Sequence, residues 1–337
     1  MKKIGLYVIR TYLQLALFFY FKKIEVKHVK NLSKDKGVLI LGNHQNALLD
    51  PLLIAVKSKR FSYFLTRASV FKKPFLAKFF KSLLMLPVYR VRDGWSNLSK
   101  NETIFKTCSQ LLSQNQAITL FPEGNHNIKR TVRPLSKGFT RIIDETFKTY
   151  PNSEIRIMPV GFNYEKAEGF PDSVSVIFGN EIVVKPSDTV EDLKNTVRNQ
   201  LCQLTTNIDS VNYDYILKRL NNLQVDFLKP NLVNACVSSN FKNCGKPLLQ
   251  KHYVLQPLFR ICMILLLLPV YLVWKLWIKP KIKEPEFVST FRFAIAASLT
   301  PIFIAAIVLG LLLMGFFKLS ILYLLLVLIT TLLTVKL

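Results

Sequence analysis

Between Val38 and Phe178 the chain alternates short apolar runs with stretches of helical spacing. Val38–Leu41, Phe61–Leu65, Leu83–Tyr89, Ala117–Phe121, Ile155–Val160 and Val174–Phe178 read as strands. Asn97–Ser113 and Lys137–Phe147 carry apolar residues at helical spacing. Asp188–Asn207 reads as an amphipathic helix, with Ser187 or Asp188 available as its cap. Strands and helices in this order predict an α/β domain with a mostly parallel sheet, over residues 24–228.

The pattern then changes. Residues 229–256 lose periodicity and hold Pro230, Asn240, Asn243, Gly245 and Pro247, so they are expected to form a linker to a membrane region, 257–337. There Phe293–Phe317 and Leu319–Val335, separated by Lys318, are almost unbroken apolar sequence. A span needs roughly 20 such residues, with about 17 at the low end, so the pattern predicts a transmembrane hairpin. Leu258–Ile278 is also apolar enough to span, but Pro269 interrupts it and Trp274 and Trp277 stand near its end, as interfacial anchors do. The basic loop Lys279–Lys283 prefers the cytoplasm. If the folded domain is cytoplasmic too, positive-inside asymmetry favours a re-entrant or interfacial hairpin at 258–278 over a span. At the other end, Ile4–Phe21 superficially resembles a signal peptide. Arg10 and Gln14 interrupt it, Lys22-Lys23 follow, and no small-residue cleavage site is present. Residues 1–23 are therefore expected to form an uncleaved, membrane-associated helix.

Composition narrows the partners. Lys and Arg outnumber Asp and Glu by 46 to 21, while 50% of residues are hydrophobic. Nucleic acid or an anionic membrane face would each account for the charge. Only the membrane also accounts for the tail, so nucleic acid is set aside. The five cysteines show neither a CxxC pair nor metal spacing. Reduced thiols on a cytoplasmic protein fit them better than a disulfide framework.

Two polar clusters follow strand candidates, where many α/β folds place their chemistry. Asn43-His44, with Asp50 beyond, comes after Gly37–Leu41. Phe121-Pro-Glu123-Gly124-Asn125-His126 comes after Ala117–Leu120. An imidazole titrates near neutral pH and serves as a general base when a carboxylate fixes its tautomer. Positions six apart on one helix face different ways, so His44 and Asp50 meet only if the chain turns at Gln45-Asn46. Asp50-Pro51 reads equally as a cap before a helix Pro51–Val56. Arg90 and Arg92 alternate at the end of a strand candidate and would share one face, which suits a phosphate clamp. Arg133 and Lys137 follow the second cluster, and Lys137-Gly138 opens a helix whose N–H groups suit an anion. Glu123 could hold an acceptor's hydroxyl or brace arginines, and Gly124 permits close backbone approach. His126 has no acid partner nearby and is expected to be peripheral. No nucleophile elbow, Walker loop or metal-ligand spacing is present, so neither metal nor bound cofactor is expected.

Four blocks in order, Asn43-His44…Asp50, Pro87-Val-Tyr-Arg90, Phe121-Pro-Glu-Gly124 and Met158-Pro-Val160, resemble the phospholipid/glycerol acyltransferase family across roughly Gly37 to Asn180. Five residues separate His44 from Asp50, where the family usually has four. The longer form resembles fungal glycerol-3-phosphate/dihydroxyacetone-phosphate acyltransferases and bacterial relatives. The third block also departs, since Asn125-His126 stand where Thr or Ser and then Arg usually follow, with Arg130 and Arg133 later. The resemblance implies that His44 takes a proton from an acceptor hydroxyl while Asp50 orients it. It implies Arg90, with Arg92, on the acceptor's phosphate, Glu123 and Gly124 shaping that pocket, and Asn43 positioning the loop. The donor would be acyl-CoA or acyl carrier protein. The acceptor would be glycerol-3-phosphate or 1-acylglycerol-3-phosphate, with a phosphate-free amphiphile such as an aminolipid as the alternative acceptor and a basic membrane-binding module as the non-enzymatic reading. Such an enzyme would sit on a membrane with its catalytic domain facing the cytoplasm, the inner membrane in a bacterium.

Overall fold

The computed structural model describes residues 2–89, 99–208, 211–248 and 254–337. Helix α1 (Lys2–Tyr20) runs directly into β1 (Phe21–Lys27). Next come β2 (Gly37–Gly42), α2 (Leu49–Lys57), β3 (Ser62–Arg67), α3 (Pro74–Ser82), β4 (Met85–Val88), α4 (Lys100–Ser113), β5 (Ala117–Leu120) and α5 (Gly138–Thr149). Strands β6 (Ile155–Tyr164), β7 (Asp172–Phe178) and β8 (Ile182–Val184) and helices α6 (Val190–Leu204), α7 (Tyr213–Asn222) and α8 (Pro230–Ser238) complete the domain.

The strands form one sheet in the order β1-β7-β6-β2-β5-β3-β4, with β8 also on β6. Pairing is parallel from β6 through β4 and between β1 and β7. Among the described residues only β6 with β7 and β8 is antiparallel. Strand β2 lies at the centre with every residue buried, and its sequence is accordingly apolar without polar alternation. Its side chains still divide by pleat. Val38 and Ile40 join Leu49, Leu53 and Ile54 of α2 and Leu17 of α1 on one face. Leu39 and Leu41 join Leu112 of α4, Phe139 and Ile142 of α5 and Leu201 of α6 on the other.

Several local expectations are revised. The helix expected over 1–23 ends at Tyr20, and the lysine-rich FKKIEVK is an edge strand. Its charges hid it, and charged residues are what protect an exposed edge. Leu17, Tyr20 and Phe21 are buried in the core, whereas Ile4, Tyr7, Val8, Leu15 and Phe18 stay exposed. Helix α2 starts at Leu49 rather than Pro51, so Asp50 sits inside its first turn instead of capping it. Thr189, not Ser187 or Asp188, caps α6, its Oγ1 accepting the Asp192 N–H at 3.1 Å. The stretch expected as linker contains α8, whose Val233 and Cys236 bury against Ile208 and Leu220 at helical spacing. Cys236 and Cys244 form a disulfide instead of remaining thiols, while Cys108 and Cys262 are free cysteines.

Beyond the domain lie α9 (Gln256–Leu266), α10 (Leu268–Leu272), α11 (Val288–Leu313) and α12 (Phe317–Lys336). Among the described residues, two helices are long and apolar enough to cross a membrane, Pro285–Leu313 and Phe317–Lys336. The pair 256–266 and 268–281 is bent by 95° at the break between them. Both outer ends of the α11–α12 hairpin touch the domain. Ser289 Oγ donates to the Ala167 carbonyl at 2.7 Å, and Lys336 Nζ to the Phe21 carbonyl at 2.7 Å.

Candidate active site

Strands β2 and β5 are parallel neighbours, paired from Val38↔Ala117 to Leu41↔Leu120, so both release their loops at the same sheet edge. The helices that follow depart to opposite faces, α2 to one and α5 to the other. That divergence opens a crevice at the carboxyl ends of the strands, the usual place for a ligand in such sheets. Both polar clusters read from the sequence line it. The His44 ring stacks on the Phe121 ring with centroids 3.9 Å apart, and the Asn127 N–H donates to the His44 carbonyl at 2.9 Å.

The chain turns between Gln45 and Leu48, and this brings His44 Nδ1 to 2.8 Å from Asp50 Oδ2. Asp50 is fully buried, while the His44 side chain keeps 13% of its surface exposed. A buried carboxylate needs partners, and this one has three. Oδ2 also accepts the Asn46 backbone N–H at 2.8 Å, and Oδ1 accepts the Tyr164 hydroxyl at 2.5 Å. Burial first, and then the charge of Asp50, raise the Tyr164 hydroxyl pKa well above its ordinary value. Tyr164 therefore stays a donor. The sequence reading missed Tyr164; its signal was a tyrosine ending the strand that carries the Met-Pro-Val block. Asn43 fixes the loop's origin through a reciprocal pair with β6. Its Nδ2 donates to the Phe162 carbonyl at 3.1 Å, and its Oδ1 accepts the Phe162 N–H at 2.8 Å. The side-chain amide thus continues the ladder one residue past Gly42.

In the second loop the Gly124 N–H closes a turn onto the Phe121 carbonyl at 3.1 Å, with Gly124 at φ 72°, where a side chain would be strained. Glu123 is folded inward, its side chain 3% exposed, and Arg133 Nε reaches its Oε2 at 2.7 Å. Burial pushes the Glu123 carboxyl up to about 7. The Arg133 charge and hydrogen bond oppose this, and the Asp50 charge reinforces it. Arg133 also donates to the Asn125 carbonyl, so it is committed to bracing this loop.

The remaining expected residues are less gathered. Lys137 lies exposed before α5, and among the described residues no hydrogen bond or ion pair ties its side chain to the cluster. Arg90 and Arg92 lie outside the described residues. Arg130 points away, stacked over Phe227 at 3.9 Å with Nη2 on the Glu165 carbonyl. His126 is nearer than expected, its ring 5.7 Å from that of His44.

The family model described as Acyltransferase matches residues 23–163. Among solved structures, the 1-acyl-sn-glycerophosphate (LPA) acyltransferase PlsC from Thermotoga maritima is similar at 18% identity and a TM-score of 0.44, covering 59% of this chain and 78% of that one. A search of curated proteins found no match. The matched segment runs from β1 through β6 and carries both loops of the crevice, so it is this part of the chain that is similar to the acyltransferase family.

Proposed function

We propose that the protein is a membrane-bound O-acyltransferase that moves a fatty acyl group from an acyl thioester, acyl-CoA or acyl carrier protein, to a hydroxyl of glycerol-3-phosphate or 1-acylglycerol-3-phosphate. The observation that carries this reading is the His44–Asp50 contact, held by Tyr164 and the Asn46 N–H at the mouth of the crevice. With the Nδ1 proton donated to Asp50, the Nε2 lone pair is free to act as base. It takes the acceptor's hydroxyl proton as the oxygen attacks the thioester carbonyl. The tetrahedral intermediate then collapses, the C–S bond breaks, and the imidazolium returns the proton to the departing thiolate. The buried carboxylate stabilises the imidazolium between these steps. Arg90 and Arg92, marked by the resemblance, are proposed for the acceptor's phosphate, with the Glu123–Arg133 pair shaping the second loop beside it.

A membrane setting is supported by surfaces outside the site. Helix α3 exposes Phe75 and Phe79 among the exposed Lys72, Lys73, Lys78 and Lys81, which suits an anionic interface. Both outer ends of the α11–α12 hairpin contact the domain, as they would if the hairpin crossed the bilayer and returned. The basic loop Lys279–Lys283, just before α11, favours the cytoplasmic face for the side of the membrane on which the domain lies.

The test is acyl transfer by the purified protein in vesicles, with labelled acyl-CoA or acyl carrier protein and each acceptor offered separately. Product on one acceptor, abolished in His44→Ala, is expected. No product on either acceptor from a folded protein with both donors would overturn the glycerolipid assignment.

A further inference from the structure

The loop joining His44 to Asp50 leaves backbone groups that its own sequence does not satisfy. The first N–H groups of a helix have no intrahelical acceptor, and the cap of α2, Leu48, offers no side-chain bond. The acceptors come from the far end of the chain. Thr290 Oγ1, in the first turn of α11, accepts the Leu48 N–H at 3.0 Å, and the Glu286 carbonyl accepts the Ala47 N–H at 3.5 Å. The Thr290 hydroxyl donates to Asn46 Oδ1 at 3.4 Å. Asn46 in turn donates its Nδ2–H to the Ala167 carbonyl at 3.1 Å, the same carbonyl that Ser289 engages. Asn46 is also the residue whose backbone N–H holds Asp50 Oδ2. On the other side of the base, the His126 ring lies between His44 and Phe287, 4.6 Å from the Phe287 ring.

From this geometry we propose that the first turn of α11 is part of the active site, with Thr290 as a positioning residue that caps the His44–Asp50 loop from the membrane region. Helix α11 continues as the apolar segment 285–313, long enough to cross a bilayer. Insertion of that helix and alignment of the base are then one structural event. The hairpin is more than a tether, and its contribution does not pass through any contact with substrate. The catalytic part of this inference rests on the acyl-transfer reading above; the brace itself does not.

The experiment compares Thr290→Val, which keeps the shape and removes the hydroxyl, with Thr290→Ser, which keeps the hydroxyl. Two readouts are taken on the full chain in vesicles, steady-state kinetics and amide exchange of the peptide covering residues 43–50. The valine variant should lose about tenfold in kcat with KM for donor and acceptor unchanged, as expected when a supporting hydrogen bond is removed without loss of substrate contacts. Exchange across residues 43–50 should accelerate in parallel, and the serine variant should restore both. Unchanged exchange in Thr290→Val would overturn the brace. Faster exchange with unchanged kcat, or a raised KM at constant kcat, would overturn its positioning role. If the wild-type protein transfers no acyl group, the functional reading fails and exchange alone decides the brace. Should Thr290→Val not fold, Thr290→Ala carries the same comparison.

Discussion

Replacing Asp50 by Asn turns a fully buried carboxylate into an amide of the same shape, with one acceptor oxygen and no charge. The surroundings dictate how that amide sits. Two N–H groups, from His44 Nδ1 and the Asn46 backbone, converge on Oδ2 at 2.8 Å each, while among the described residues Oδ1 meets only the Tyr164 hydroxyl. The Asn46 N–H cannot reverse, so the amide oxygen must take the Oδ2 position. The amide nitrogen then faces Tyr164, whose hydroxyl can rotate and accept. His44 therefore keeps its tautomer, and only the charge behind the imidazolium is lost. A hydrogen bond to a charged group is worth about 1.5–3 kcal/mol; taking the upper part of that range for so buried a carboxylate gives a loss of roughly 30- to 160-fold in kcat/KM. A reversed tautomer would cost far more, about 10⁴-fold in the serine-protease triad. The assay is initial-rate acyl transfer at varied acceptor, with His44→Ala setting the floor. Activity within about twofold of wild type would remove Asp50 from the mechanism. Activity at the His44→Ala floor would show that the amide flips, and that the Asn46 N–H does not control its orientation.

Three further outcomes follow from the same contacts. Tyr164→Phe leaves the buried Asp50 Oδ1 without its donor and should cost about 1–3 kcal/mol of stability, read by thermal unfolding in detergent, with a drop in kcat/KM. Glu123, with its carboxyl raised to about 7 from the ordinary 4.5, keeps its proton in the folded state across a window where the unfolded chain has released it. Its contribution is full below pH 4.5, declines as pH rises and is gone near 7, a change of about 3 kcal/mol. Unfolding midpoints measured across that window should therefore fall less steeply with pH in Glu123→Gln, and equal slopes would show that the carboxyl is not raised. Gly161→Ala would bring a Cβ to 2.3 Å from the Leu204 carbonyl oxygen, backbone that cannot swing aside, whereas a Cβ at Gly138 meets nothing nearer than 3.8 Å. The first should lose about 1–3 kcal/mol or fail to fold, and the second should lose little, by the same melting assay.

The central strands were legible because burial on both faces leaves an uninterrupted apolar signature, as in Val38–Leu41 and Ala117–Leu120. The edge strand Phe21–Lys27 was not, since a half-exposed strand in charged sequence loses that signature. Helix α8 was hidden for a different reason. Its apolar face is only a few residues long, and it becomes a core only against Ile208 and Leu220.

The same division holds at the site. The sequence by itself determined that His44 and Glu123 stand just past the ends of apolar runs and that Asp50 follows His44 closely, because strand ends and turn residues are local properties. Whether Asp50 faced His44 or merely capped a helix was open, since six positions bring two side chains together only through a particular turn. Tertiary structure decided it: Asp50 faces His44 from inside the first turn of α2, holding the His44 imidazole and the Asn46 N–H on one oxygen. Tyr164 and Thr290 enter only through contacts 114 and 242 residues long in sequence. No periodicity encodes such contacts. They exist because β6 lies beside β2, and because α11 begins where the loop leaves its amides unpaired.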